Sequence, residues 1–364
     1  MGMRFIWVWL GAAVLLSGCR TTPPARPACF SHFIGLDDFS GFDRSTNPAG
    51  EIILTSPEIT TANVWDELIV SWNADAPAGT FLTIEARAVW PDHASKFFTL
   101  GRWTPDNRLF PRASVHGQAD ADGTVSTDTL ALNRPACSVQ IRVTLGGTNS
   151  AMPSLKFLGL SFCQPTASRQ IGPPNQAAWG VVLPTPERSQ HAYPGAHGWC
   201  SPTSVSMVLS RWSQVLGRPE LNQDVPEVAA AVYDQDYSGT GNWPFNTAYA
   251  GGFAGMRSYV TRFEDVNELE DWISAGIPVV ISARWDLLRP GRRETGNGHL
   301  LVCIGFTPDG NVVVNEPAGN LKTGHVRQVY RREDVRRAWA RSNNTVYLIY
   351  PVGAKLPANR YGHW

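Results

Sequence analysis

The chain has no excess charge of either sign. Its 31 Lys and Arg balance 31 Asp and Glu across 364 residues, and it contains no long basic run. Nucleic acid and acidic membrane surfaces are therefore not expected as electrostatic partners. Cysteine is scarce, with six in all. None forms a Cys-x-x-Cys pair, and none joins histidines at zinc-ligand spacing, so no metal centre is expected. No organic cofactor is implied either. The apolar run from Phe5 to Leu16 is too short for an ordinary membrane-spanning helix. From about Cys29 to Cys163 no convincing helical periodicity appears.

Several features bound the organisation. The length exceeds that of a typical single domain, so two domains are expected, and 43% hydrophobic residues with 14 tryptophans can fill two cores. Residues 1–19, "MGMRFIWVWLGAAVLLSGC", have an early Arg4, the apolar run, then Ser17-Gly18 before Cys19. This is the form of a secretory signal, and its end resembles a bacterial lipobox in which Cys19 is lipidated. Residues 20–28 read as a Pro-rich tether. Arg20 after the lipid site favours an outer-membrane anchor facing the periplasm, so membrane contact is expected through the lipid alone. In an oxidising compartment thiols pair, and Cys29 with Cys163 would staple the ends of the first domain, with Cys137 an alternative partner. Cys303, within "LLVCIGF", reads as a buried core residue.

Residues 29–163 show short runs of alternating or apolar residues, among them "EIILTSPEI", "WDELIVSWNA", "TFLTIEARAVW", "TVSTDTLAL" and "LKFLGLSFC", separated by turn clusters such as "DAPAG" and "DADG". Many short strands without helices predict an all-β sandwich, jelly-roll-like, as a candidate binding domain for a glycan or cell-wall ligand. Trp90, Trp103 and Asp92 are candidates for an exposed stacking face there. Residues 164–178, polar and Pro-rich, read as a linker. Residues 179–352 change grammar: helical periodicity at Val205, Val208, Leu209 and Trp212 and again in "EDVNELEDWISAG", then apolar strands in "IPVVISARW", "HLLVCIGFTPDGNVVVNEPAG" and "TVYLIYPV". Helices followed by an antiparallel sheet make an α+β domain. Residues 353–364 form a C-terminal tail.

In "AHGWCSPTSVSMVLSRW", Cys200 precedes Pro202 at the start of a predicted helix, with Ser201 or a neighbour able to cap it. The positive end of a helix favours a thiolate, the nucleophilic form of cysteine. A small buried residue is the plainer reading of this stretch alone. His299 opens the strand after "ETGNG", and the Thr307-Pro308-Asp309-Gly310 turn brings Asn315 and Glu316 back toward it. Because strand neighbours face opposite sides, only one of the two should reach the imidazole and hold its tautomer. His191, His197 and His325 are weaker candidates for the base. "YSGTGNWPFNTAYAGG" supplies candidates for the substrate cleft, Trp243 and Asn246, beside Trp199.

"GWCSPTSVSMVL", "AGIPVVIS" and "GHLLVCIGFTPDGNVVVNEPAG" together resemble the papain-like cysteine peptidases of the bacteriocin-leader-processing (double-glycine) type, more closely the stand-alone "thirty-nine-like" branch. The resemblance covers roughly residues 181–352 and none of the first domain. It implies a papain-like fold with Cys200 as nucleophile, His299 as general base and Gln190 as a donor to the oxyanion hole, a role often worth about 3 kcal/mol. Three features depart from the family pattern. Gln190 stands ten residues before Cys200, the usual Asp-Pro is Glu316-Pro317 here, and Cys-Gly-Pro is replaced by Cys-Ser-Pro. For the orienting residue, chemistry leans to Asn315 and motif register to Glu316. The expected activity is an exported cysteine peptidase or amidase acting on a peptide or protein through a thioester acyl-enzyme. The alternatives are an acyl transferase or cell-wall amidase on the same site, or an inert polymer-binding lipoprotein.

Overall fold

The computed structural model describes residues 30–148, 151–289 and 296–364. The expected signal segment, Cys19, the tether and Cys29 lie outside the described residues. Cys137 and Cys163 carry free thiols and do not pair with each other. Burial pushes the Cys163 thiol up to about 12.

The first unit consists of β1 (Ser31–Leu36), β2 (Asp43–Thr46), β3 (Ile52–Thr55), β4 (Ile59–Asp75), β5 (Thr80–Val89), β6 (Phe98–Trp103), β7 (Gly123–Ser126), β8 (Thr129–Gly147) and β9 (Ser154–Cys163). All pairs are antiparallel, and hydrogen bonding joins the nine strands into one sheet. Two arms share the long strand β8. Its first residues pair with β7 and β4, whereas its last pair with β3 on one side and β5 on the other. Period-two burial drives β5, where Leu82, Ile84, Ala86 and Ala88 all point inward. In β4 the run Leu68 to Ala74 is buried on both faces, one against its own core and the other against the second unit.

The second unit follows as α1 (Cys200–Leu216), α2 (Val225–Val232), α3 (Trp243–Gly252), β10 (Met256–Arg262), α4 (Val266–Ser274), β11 (Val279–Arg284), β12 (Gly298–Phe306), β13 (Val312–Asn315), β14 (Arg327–Tyr330), α5 (Arg332–Trp339) and β15 (Thr345–Pro351). Its antiparallel sheet has the order β10-β15-β11-β12-β13-β14. From Ser201 to Trp212 every residue of α1 is buried, and the helix packs on β12. Part of the stretch 164–178 is held against α4 and the residues before it. The Gln170 amide donates to Glu264 at 2.9 Å, and Asn175 donates to Glu270 and Asp271 at 2.7 and 2.8 Å. The C-terminal tail is bound too, with the Phe33 amide of β1 donating to the Gly362 carbonyl at 2.7 Å.

Trp90 and Trp103 do not form the expected stacking face. They are only 8% and 5% exposed. The Trp90 indole donates to the Pro135 carbonyl, and Trp103 packs on Phe245 of α3 at 5.7 Å between ring centroids. Their apolar rings sit on inward positions that the sheet and α3 cover. Asp92 is exposed and pairs with Arg134.

The two units meet along β4. Asn73 takes the Ser258 amide at 3.1 Å and gives to the Ser258 carbonyl at 2.7 Å, and Ser71 accepts from the Val260 amide at 3.1 Å. These groups belong to the outer edge of β10, the end strand of the second sheet. Gly251 permits the fit, since a Cβ there would lie 2.0 Å from Asn73 Nδ2. Replacing Asn73 with Ala strands a buried donor and a buried acceptor, each at about 1–3 kcal/mol. The Asn73→Ala protein is expected to lose about 2–4 kcal/mol of stability in urea denaturation. Unchanged stability would show that β10 does not depend on this contact.

Candidate active site

Gly198, at φ +76°, turns the chain into Trp199, the N-cap residue of α1. No side chain caps this helix. Ser201, expected as a cap, instead shares a hydrogen bond with the Tyr347 hydroxyl at 2.9 Å. Cys200 is therefore the first residue of a helix whose leading amides keep their positive end free of competing side chains.

His299 stands second in β12, opposite Ala283 of β11. Its Nε2 lies 2.5 Å from Glu316 Oε1, which leaves Nδ1 for the Cys200 thiol, its other hydrogen-bond partner. Glu316 is fully buried and saturated. Oε1 also accepts from the Ala318 amide at 2.9 Å, and Oε2 accepts from the Tyr330 hydroxyl at 3.1 Å. The Trp285 ring meets the imidazole edge-on, with centroids 4.4 Å apart, and the Arg289 guanidinium lies over that indole. Together they wall the His299–Glu316 contact from water.

Charge follows from these contacts. Burial alone would raise the Cys200 thiol, but the His299 hydrogen bond and charge, with help from the Leu300 amide, outweigh it and hold the thiol below its ordinary value. Burial alone would lower His299, yet the Glu316 carboxylate and the thiolate raise it to about 10. Burial would likewise raise Glu316, and the imidazolium with the Ala318 and Tyr330 donors brings it down. All three directions favour a thiolate beside an imidazolium.

Asn315, toward which the chemistry leaned, faces away. Its Nδ2 donates to the carbonyls of Thr185 and Pro186 at 3.1 and 3.2 Å. Strand alternation sends one of the two neighbours to each side, and Glu316 is on the imidazole side. Gln190 lies in the short turn Gln190–Ala192, its backbone N–H donating to the Pro317 carbonyl at 2.9 Å and its side-chain Oε1 buried without a partner. Trp199 and Trp243 line the cleft at Cys200. Asn246 does not. It is fully buried, and its amide donates to the carbonyls of Thr240 and Asn242 at 2.8 Å, closing the loop before α3. His197 lines the cleft but is exposed, while His191 and His325 are exposed elsewhere. Sequence reasoning missed Trp285 and Tyr330. Trp285 ends "IPVVISARW", and only the fold brings it to His299. Among the described residues no group of three or more His, Cys, Asp or Glu is placed to hold a metal ion.

The cleft holds about 1010 Å³. One side is formed by α1 and the Tyr237 to Trp243 segment, and the other by Glu67 and the Ser126 to Thr129 turn of the first unit.

Two family models match the chain. Residues 48–162 match the Peptidase C39 N-terminal domain, and residues 182–347 match the Peptidase C39-like family. No curated protein matches it. Similar solved structures include a Bacillus anthracis protein named as a C39-like peptidase, 18% identical, covering 48% of this chain and 98% of that one, with a TM-score of 0.38. Infectious bursal disease virus Gx strain is 10% identical over 38% of this chain and 35% of that one, with a TM-score of 0.22. The family rests on the two models.

Exchanging Glu316 for Gln keeps the shape and removes the charge that sustains the imidazolium. The His299 pKa is then expected to fall and that of the Cys200 thiol to rise. Each unit of that rise removes about tenfold of the thiolate below neutrality. Haloacetamide alkylation of Cys200 at pH 6 is expected to slow by about tenfold or more in Glu316→Gln. An unchanged rate would show that Glu316 does not sustain the imidazolium.

Proposed function

The chain belongs to the C39 peptidase family, and on that premise we propose that it is an exported cysteine peptidase. The observation that carries the reading is the buried His299–Glu316 hydrogen bond beside Cys200, a thiol held low by that imidazole and lining a cleft large enough for a peptide. The Cys200 thiolate attacks the carbonyl carbon of a peptide bond, forming a C–S bond. The His299 imidazolium gives its proton to the leaving nitrogen as the C–N bond breaks. Water, deprotonated by the imidazole, then cleaves the thioester and restores the pair. The first amides of α1, with Gln190 as a second donor, hold the oxyanion. Glu316 is the positioning residue and Asn315 is structural.

Export and lipidation at Cys19 belong to the same reading, supported by the form of residues 1–19. The first unit is read as a jelly-roll-like pair of layers, supported by Phe245 packing against Trp72 of one arm and Trp103 of the other.

The test uses the full chain in detergent. Wild type, Cys200→Ala and His299→Ala are each incubated with a proteome-derived peptide library, and new N termini are read by mass spectrometry. Cleavage is expected from wild type alone. Haloacetamide labelling of Cys200 is expected to persist in wild type to lower pH than at an ordinary thiol, because its thiol is held low. It is expected to fall away at higher pH in His299→Ala, where burial acts unopposed. Rapid labelling without cleavage, together with peptide transfer to an added amine, would replace hydrolysis with acyl transfer. An unreactive Cys200 in folded protein would sink the enzyme reading.

A further inference from the structure

We propose that the first unit is a working wall of the peptidase cleft, and that its turn between β7 and β8, Ser126 to Thr129, selects which peptide segments reach Cys200. This rests on the cysteine-peptidase reading above. It goes beyond that reading by giving the first unit a role in substrate choice in place of binding a separate polymer.

Three observations carry it. The first is location. Ser126, Thr127, Asp128 and Thr129, with Glu67 and Ala131, line the same cleft as Cys200. Hydroxyl groups from one unit and the rings of Trp199 and Trp243 from the other thus share one space. An extended peptide seated at the nucleophile has to run past both.

The second observation is strain held by the neighbouring unit. Thr127 sits at φ +56°, a left-handed conformation that is a genuine outlier for a β-branched residue. Such a conformation persists only where surrounding contacts over-determine it. Here the Asp128 amide bonds to the Ser126 carbonyl at 2.7 Å, which tightens the turn. The Asp128 carboxylate, 6% exposed, accepts from the Trp243 amide at 2.8 Å and from the Thr129 hydroxyl at 3.1 Å. Trp243 is the first residue of α3, so the turn is pinned to a helix start of the peptidase unit, where a carboxylate is welcome.

The third observation is an ion pair between the units at the cleft. Glu67 of β4 pairs with Arg262 of β10 at 2.7 Å, and Asn343 donates to the same carboxylate at 3.3 Å. Arg262 is only 2% exposed. Without the first unit this buried guanidinium would lose its carboxylate, and the α3 start would lose Asp128. The cleft is therefore composite, and the turn is fixed on both flanks where it faces the substrate.

The experiment compares a small and an extended probe of the same thiol in the full chain. Iodoacetamide reads the reactivity of Cys200 alone. A panel of capped tetrapeptidyl chloromethyl ketones, differing in the residues before the ketone, reads access through the cleft. Ser126→Trp adds bulk at an exposed strand end. Thr127→Gly removes a side chain where the backbone already suits glycine. Ser45→Trp, exposed on β2 at the far edge of the first sheet and not lining the cleft, is the control. The expected result is an iodoacetamide rate within twofold of wild type in all three. Rates with the peptidyl ketones should drop at least tenfold in Ser126→Trp, and their ranking should be reordered in Thr127→Gly. Peptidyl rates that match the Ser45→Trp control in both variants would overturn the proposal, as would iodoacetamide and peptidyl rates that fall together. Failure of iodoacetamide to label wild-type Cys200 would instead strike the underlying nucleophile, so the two failures are distinguishable.

Discussion

An open sheet must dispose of its end strands, and the way β10 is closed governs much of this molecule. Its inner edge pairs with β15, while the Ser258 and Val260 groups of its outer edge are met by Asn73 and Ser71 side chains from β4. Side chains of another unit thus do what a further strand would do, and the edge is no template for another chain. The consequences spread outward. β4 is buried on both faces, and Gly251 brings α3 against it. Phe245 is drawn between Trp72 and Trp103. With β4 fixed, Glu67 at its middle meets Arg262, and the β7–β8 turn is carried to the mouth of the cleft.

A second constraint is electrostatic. Glu316 is a fully buried carboxylate, and desolvation of an unpaired charge costs several kcal/mol. Three donors meet that cost: the imidazolium, the Ala318 amide and the Tyr330 hydroxyl. The same dryness makes each contact strong, and the effect passes along the line. Glu316 keeps His299 charged, and His299 keeps Cys200 ionised against its own burial. The structural requirement that Glu316 be paired and the proposed chemistry's requirement for a thiolate are one requirement.

Much of this was legible in the sequence, and what escaped has particular causes. The α1 start, α4 and the β12–β13 hairpin carry strong periodicity or turn signals, and they lie where residues 200–212, 264–276 and 298–319 place them. "TVSTDTLAL" reads as a single strand because Thr127-Asp128 lacks the glycine or asparagine that announces a tight turn. In the structure it is two strands and the turn that lines the cleft. β10 and α3 show no period-two or period-3.6 stripe, because each is covered on one side by the first unit and on others by the second. Asn246 looked available because it is polar and follows glycines, yet its amide serves the backbone of its own loop. Between Asn315 and Glu316 residue chemistry was the poorer guide. Alternation along the strand required only one to face His299, and the motif register indicated which.

The five α-helices among the described residues differ at their starts in a way that bears on Cys200. α2 has a capping box from Asp224 and Glu227, α4 has Glu268 in its first turn, and α5 has Glu333 and Asp334. α3 has no acid of its own, but Asn242 caps it and Asp128 arrives from the other unit to sit on its first amide. α1 has neither a capping side chain nor an acidic residue in its first turn. A buried helix start left without an anion is a cost, because its leading amides and dipole want negative charge. The group positioned to supply that charge is the Cys200 thiolate and, in the proposed reaction, an oxyanion. The missing cap is consistent with the lowered thiol and the charged imidazole, since all three favour negative charge at the same point.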